Sequence, residues 1–169
     1  MQGRVKIFTY GCQMNDLDTQ KLYSELSQHG YAPTEEADKA DVIILNTCSV
    51  RQKAQEKALS TLGRIRFIKR RRPALVIAVA GCVAQQEGER LIERIPEVDI
   101  VIGTHQLHRL GDLIAEVREK RRPRIETAYT ETIPALDIVP DKAFLVPAHR
   151  VSINIMQGCD NFCAYCIVP

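Results

Sequence analysis

Tryptophan is absent from this 169-residue chain, and aromatic residues make up only 5% of it. No apolar run approaches the roughly 20 residues that a membrane-crossing helix needs. The N-terminal Met1-Gln2-Gly3-Arg4-Val5-Lys6 lacks the apolar core of a secretory signal and enters a strand pattern at once. Low-complexity tracts are missing, and the net charge is only +2, too small to announce nucleic-acid binding from whole-chain electrostatics. These absences point to a cytoplasmic globular protein without a membrane segment, and 45% hydrophobic residues suffice for a core.

What the chain does have is six cysteines in two sets. Outside an oxidising compartment, that many cysteines more often serve metal binding or catalysis than disulfides. One set is compact: Cys159, Cys163 and Cys166 follow a C-x3-C-x2-C spacing. Three thiolates in one loop can hold three irons of a [4Fe–4S] cluster, which normally takes four cysteines, and so leave one iron open. A zinc knuckle or a disulfide loop is the alternative, but a zinc site wants two-residue spacings and a fourth Cys or His, absent from this loop.

The other set is dispersed in sequence but uniform in setting. Cys12 follows Val5–Tyr10, Cys48 follows Val42–Thr47, and Cys82 follows Leu75–Ala80. Each preceding run is short, apolar and rich in β-branched residues, as in a buried parallel strand, and each cysteine is followed by a helical pattern. In an open parallel α/β sheet the carboxyl ends of the strands form one edge, where ligands bind. Three cysteines in equivalent positions therefore converge on one rim as a second three-thiol site. Taken singly, each also reads as a small buried hydrophobe. Glycines precede Cys12, Cys82 and Cys159.

The alternation of strands and helices predicts a three-layer α/β domain with a parallel sheet over residues 1–119. A first helix is expected from about Leu17 to Gln28, capped by Asp16 and stopped at Gly30. Ser49-Val50-Arg51-Gln52 matches a capping box that opens a second helix with Ala54, Ala58, Leu62 and Ile65 on one face, ending before Pro73. A short helix around Leu91, Ile92 and Ile95 stops at Pro96; a strand at Val98–Ile102 and a helix with Leu107, Leu110, Ile114 and Val117 follow. The basic run Lys120–Arg124 and Pro123, Pro134, Pro140 and Pro147 mark residues 120–150 as an extended linker. Val151–Met156 reads as a new strand, opening a domain over 151–169.

Around both sets, the motifs resemble one family. Tyr10-Gly11-Cys12-Gln13-Met14-Asn15, Asn46-Thr47-Cys48-Ser49-Val50-Arg51 and Ala80-Gly81-Cys82-Val83-Ala84-Gln85 look like the three cysteine motifs of the radical S-adenosylmethionine (SAM) methylthiotransferases. The segment Gln157-Gly158-Cys159 to Cys166-Ile167-Val168-Pro169 is similar to their radical SAM loop. Within the family, Cys48–Ala54 and Gly103–Leu110 are most similar to the tRNA-2-methylthio-N6-dimethylallyladenosine synthases (MiaB type).

That resemblance implies two [4Fe–4S] clusters, one held by Cys159, Cys163 and Cys166 and one by Cys12, Cys48 and Cys82, all six counted as catalytic, with S-adenosyl-L-methionine bound at the first and Tyr165 beside its adenine. It implies methylthio insertion at C2 of N6-isopentenyladenosine at tRNA position 37, an electron donor resembling flavodoxin or ferredoxin, and a monomeric enzyme. It also implies that residues 151–169 are the first strand and cluster loop of a truncated (β/α) barrel, whose full form needs about 200 residues or more, so that the piece alone is inactive. A ribosomal-protein aspartate, a threonylcarbamoyl-adenosine tRNA, or a non-catalytic cluster-carrying module are the other readings.

Weaker expectations attach to further residues. Gln13, Asn15 and Asn46 are candidates to hydrogen-bond the sulfurs or substrate, or else turn and cap residues. Arg64, Arg66, Lys69, Arg70, Arg71 and Arg72 form a basic stretch free of acids, suited to tRNA phosphates or to a solvated helix C-terminus. His29, His105, His108 and His149 show no ligand spacing and are expected in surface or capping roles.

Overall fold

The computed structural model describes residues 3–130, together with 155, 159 and 161–166. Its strands are β1 (Gly3–Tyr10), β2 (Tyr31–Pro33), β3 (Val42–Thr47), β4 (Val76–Ala80), β5 (Ile100–Ile102) and β6 (Arg124–Glu126). The helices are α1 (Gln13–Gln28), α2 (Gln52–Arg71), α3 (Cys82–Glu87), α4 (Glu89–Arg94) and α5 (Leu110–Lys120), with 3-10 turns at Ala37–Lys39 and Leu107–Arg109. The strands form one sheet in the order β2-β1-β3-β4-β5-β6, and every pairing is parallel.

Parallel pairing requires both faces to be covered, and the sequence supplies apolar residues for both. From β3, Val42 and Ile44 enter one core while Ile43 and Leu45 enter the other. On the first face, Leu22 and Leu26 of α1 and Leu110, Leu113, Ile114 and Val117 of α5 pack against the sheet. On the second, Ala58, Leu62 and Ile65 of α2 join Val83, Ala84 and Leu91 of α3 and α4. Burying such a Leu or Ile side chain contributes about 1.5–3 kcal/mol each. The result is the three-layer α/β domain that the periodicity predicts.

Several boundaries differ from the sequence reading. Helix α1 begins at Gln13, with Cys12 rather than Asp16 as its N-cap. Helix α2 begins at Gln52, and its N-cap Arg51 makes no side-chain cap bond, so Ser49 does not open a capping box. The single short helix after Cys82 is two, interrupted at Gly88, the first starting at Cys82 itself.

Two edge strands lie outside the sequence expectation. Each is three residues long, β2 ending in Pro33 and β6 carrying charges at Arg124 and Glu126. Short, charged or proline-bearing strands suit a sheet edge, where apolar periodicity is weakest. Strand β6 falls within residues 120–150, so the beginning of the expected linker joins the sheet. Residues 131–150 of that linker, His149 among them, and the strand expected at Val151–Met156 (Ile155 apart) lie outside the described residues.

Candidate metal centre at the carboxyl edge

The strand order places a crevice between β1 and β3. From β1 the chain turns outward through α1 to β2, whereas β3 sits on the other flank and leads inward to β4. Such a reversal opens a gap beyond the strand carboxyl ends, where ligands of open α/β sheets bind. Cys12 follows β1, Cys48 follows β3 and Cys82 follows β4, so all three stand at the ends of adjacent strands.

Local contacts tie the three loops together. The Cys48 N–H donates to the Tyr10 carbonyl at 2.9 Å. Arg51 reaches back with Nη1 to the Gly11 carbonyl at 2.8 Å. The Ser49 backbone N–H, one residue past Cys48, is near enough to the Cys82 thiol to counter part of its raised pKa. Glycines permit this closeness. A Cβ on Gly11 would lie 2.1 Å from Asn15 Oδ1 and 2.7 Å from Cys48 Cβ. Gly81 takes φ +91°, and its Cβ would meet Asn46 Oδ1 at 2.6 Å, a conformation and a clearance that only glycine allows.

Beneath the cysteines runs a buried polar lattice. Asn15 Oδ1 accepts from the Cys12 N–H at 3.1 Å and from the Cys12 sulfur at 3.5 Å. Asn15 Nδ2 donates to Asn46 Oδ1 at 3.1 Å, and Asn46 Nδ2 donates to the Asn15 carbonyl and to Thr19 Oγ1 at 2.8 and 3.0 Å. Asn15 thus caps α1 and hydrogen-bonds the sulfur at once, while Asn46 braces Asn15; Gln13 is exposed. A lattice satisfied at this depth fixes the loop that bears Cys12.

Burial raises the Cys82 thiol above its ordinary range; Cys48, Asp18 and Cys12 add to the rise, and the Ser49 N–H partly opposes it. Without a cation present the Cys82 sulfur favours the protonated state. The influence of Cys48 and Cys12 on it is itself a mark of convergence. Asp18 is the residue that the sequence reading missed. Its carboxyl is pushed up to about 6 by burial, with Lys21 opposing. The signal was available: Asn15 and Asp18 continue, at i+3 and i+4 steps, the buried face of Leu22 and Glu25.

Among the described residues, no three His, Cys, Asp or Glu side chains are gathered closely enough to hold one metal ion. A single ion needs its donors to meet at a point. An iron–sulfur cluster instead offers each cysteine a different iron, and three sulfurs on adjoining strand ends, with glycines clearing the approach, fit that wider arrangement.

The second set is differently built. Cys159 is half-buried, whereas Cys163 and Cys166 are exposed. The Cys166 N–H closes a turn on the Cys163 carbonyl at 3.0 Å, and Asn161 Nδ2 approaches the Cys159 sulfur at 3.6 Å. Tyr165, at that turn, is 95% exposed. The histidines bear out only part of their expectation. His29 sits between Glu25 and Asp112 at 3.5 and 3.6 Å, but the buried Nδ1 atoms of His105 and His108 have no hydrogen-bond partner among the described residues. No helix of the described residues is long and apolar enough to cross a membrane.

Comparison with known proteins bears on the same segments. The chain is 44% identical, over 95% of its length, to a tRNA-2-methylthio-N(6)-dimethylallyladenosine synthase of Syntrophotalea carbinolica. It is 47% identical over 98% to the enzyme of that name from Dichelobacter nodosus, and 45% identical over 100% to that of Serratia proteamaculans. It spans only 35–36% of the length of these relatives. A family model described as "Uncharacterized protein family UPF0004" matches residues 4–103, the stretch that contains β1 to β5 and all three strand-end cysteines. The chain belongs to that family.

Proposed function

We propose that this chain is the sulfur-donating domain, and the start of the radical-generating domain, of a tRNA methylthiotransferase that modifies C2 of N6-isopentenyladenosine at position 37. The observation that carries the reading is the placement of Cys12, Cys48 and Cys82 at the carboxyl ends of the adjacent strands β1, β3 and β4, with the first two loops tied by the Cys48–Tyr10 and Arg51–Gly11 bonds. Three sulfur ligands leave one cluster iron without a protein donor. When bound, the two clusters and S-adenosylmethionine supply the chemistry, an adenosyl radical on one side and a methylated sulfur on the other.

The chain's own residues prepare the place. Gly11 and Gly81 keep the approach clear, Asn15 and Asn46 hold the Cys12 loop, and Arg51 fastens it to the Cys48 loop. Cys159, Cys163 and Cys166 hold the second cluster, with the electron delivered by a flavodoxin- or ferredoxin-like donor. Names and identities of the relatives support the tRNA substrate.

The test is anaerobic reconstitution of the whole protein with iron and sulfide, followed by an assay on isopentenylated tRNA with S-adenosylmethionine and a reductant. About eight irons per chain and a methylthio product on the tRNA are expected. Two clusters without product on RNA would remove the substrate assignment, and zinc in place of iron would remove the mechanism.

A further inference from the structure

The carboxyl edge continues beyond the cysteines to β5 and β6, where it carries a second, unexplained construction. Residues 127–130 leave β6 on the same edge, because β6 runs parallel to the strands that deliver the cysteines. Two glutamines fasten this exit. Gln85 Nε2 donates to the Thr127 carbonyl at 2.7 Å, and Gln106 Nε2 donates to the Ala128 carbonyl at 2.9 Å. Gln106 is buried and lies in the Gly103–Leu110 stretch, whereas Gln85 closes the motif that bears Cys82.

What this fastening holds out is Tyr129. Its ring is 75% exposed, yet it is set at 4.9 Å and 72° against His105, edge to face. Holding an aromatic ring in water costs side-chain entropy with little area buried in return. Around it, the buried atoms Gln85 Oε1, His105 Nδ1 and Thr130 Oγ1 have no hydrogen-bond partner among the described residues. Buried polar atoms are rarely left unpaired, and a group of them calls for a ligand. A flat ring with acceptors and donors beside it matches the face and edge of an unstacked nucleobase, the element by which single-stranded RNA is read.

We propose that Tyr129 is a stacking platform for an unpaired base of the RNA substrate, held by Gln85 and Gln106. It stands two strand spacings, roughly 10 Å, from the strand that delivers Cys82. A base stacked there lies within a nucleotide or two of one presented to the cysteines. This rests on the tRNA reading above and names the residue that would hold the loop in place.

The experiment uses the whole protein and an anticodon stem-loop RNA carrying N6-dimethylallyladenosine, with dissociation constants measured at fixed salt. Tyr129→Ala weakens binding about ten- to a hundredfold, the range for loss of one base–aromatic stack, while Tyr129→Phe binds as the parent does. Iron content, unchanged in both, shows that the fold and the cysteines are intact. As these residues contain no tryptophan, Tyr129→Trp adds a reporter at a known place, and its emission is quenched on RNA addition. Equal affinity of Tyr129→Ala and the parent overturns the proposal. So does a Tyr129→Trp emission that is already shielded in the free protein and indifferent to RNA, the sign that the chain covers its own ring. A parent protein that makes methylthio product while Tyr129→Ala loses nothing defeats this inference alone; a parent that neither binds nor modifies RNA defeats the tRNA reading as well.

Discussion

The two edges of the sheet are finished in opposite ways. At the amino edge the charges are paired. Lys69 of α2 takes Asp99 and the Leu75 carbonyl, Arg66 and Arg70 share Glu97, and Arg72 takes Asp41 and the Asp38 carbonyl. Asp99 also accepts the Ile77 N–H, and Asp41 accepts the Arg4 N–H. At the carboxyl edge stand three free thiols, exposed Met14 and Val50, and the atoms Thr47 Oγ1, Gln85 Oε1, His105 Nδ1 and Thr130 Oγ1, which have no hydrogen-bond partner among the described residues. The amino edge keeps two such atoms, Glu97 Oε2 and Arg124 Nε, amid its ion pairs. Ion pairs therefore dominate the first edge and free thiols the second, the side on which open α/β sheets bind ligands.

The largest effect that can break this contrast comes from the cysteines themselves. Cys48→Ala in the whole protein should lower iron from about eight to about four per chain and abolish methylthio transfer, with S-adenosylmethionine cleavage retained. Cys163→Ala should do the reverse, losing cleavage while the other cluster stays. Cys48 is buried and Cys163 exposed, so only the former should also lower the unfolding free energy, by about 1 kcal/mol of lost packing. Identical behaviour of the two variants would merge what the geometry separates.

Next in size is the lattice under Cys12. Asn46→Ala removes the bonds to Asn15 Nδ2, to the Asn15 carbonyl and to the half-buried Thr19 Oγ1. Denaturant unfolding should show a loss of about 2–4 kcal/mol, together with poorer iron retention. An unchanged midpoint would mean that the lattice is incidental.

Asp18 tests the carboxyl edge by pH. Its carboxyl is pushed up from 3.8 to about 6, chiefly by burial. The folded chain therefore holds this proton more tightly than the unfolded one. Above pH 6 or so the native state carries a buried charge at a cost on the order of 3 kcal/mol. That cost disappears as pH falls through about 6 towards 4. Asp18→Asn should be the more stable protein at pH 8 and gain nothing at pH 4, read as the difference between two melting profiles. A constant difference across that range would deny the buried charge.

Much of this was legible beforehand, for reasons that particular residues make plain. The β-branched runs before Cys48 and Cys82 stand in central strands buried on both faces, where apolar continuity and structure coincide, while β1 before Cys12 buries Val5 and Ile7. Strands β2 and β6 sit at the edges, where three residues with proline or charge leave no period to read. Asn15 read either as a hydrogen-bond partner of the sulfurs or as a turn or cap residue, and it is at once a cap and a neighbour of the Cys12 sulfur, because one carboxamide serves both. Asp18 hid in an amphipathic stripe whose polar end faces the crevice. The Ser49 capping box failed because α2 starts only at Gln52, with Arg51 at its N-cap and that side chain reaching back to the Gly11 carbonyl.

The smallest expected effect concerns the basic stretch, and it separates sequence from structure most cleanly. Read in one dimension, Arg64–Arg72 holds no acid. In three dimensions Glu97, Asp99 and Asp41, drawn from other segments, neutralise four of its cations. Positive charges already paired release few counterions when nucleic acid approaches, so they add little to affinity or to its salt dependence. Arg66→Ala with Arg70→Ala should therefore change RNA affinity by less than about twofold, since exposed pairs contribute 0–1 kcal/mol, and leave the slope of log affinity against log salt unaltered. A slope flattened by about two, one for each arginine removed, would make the amino edge an RNA surface after all and undo the division between the two edges.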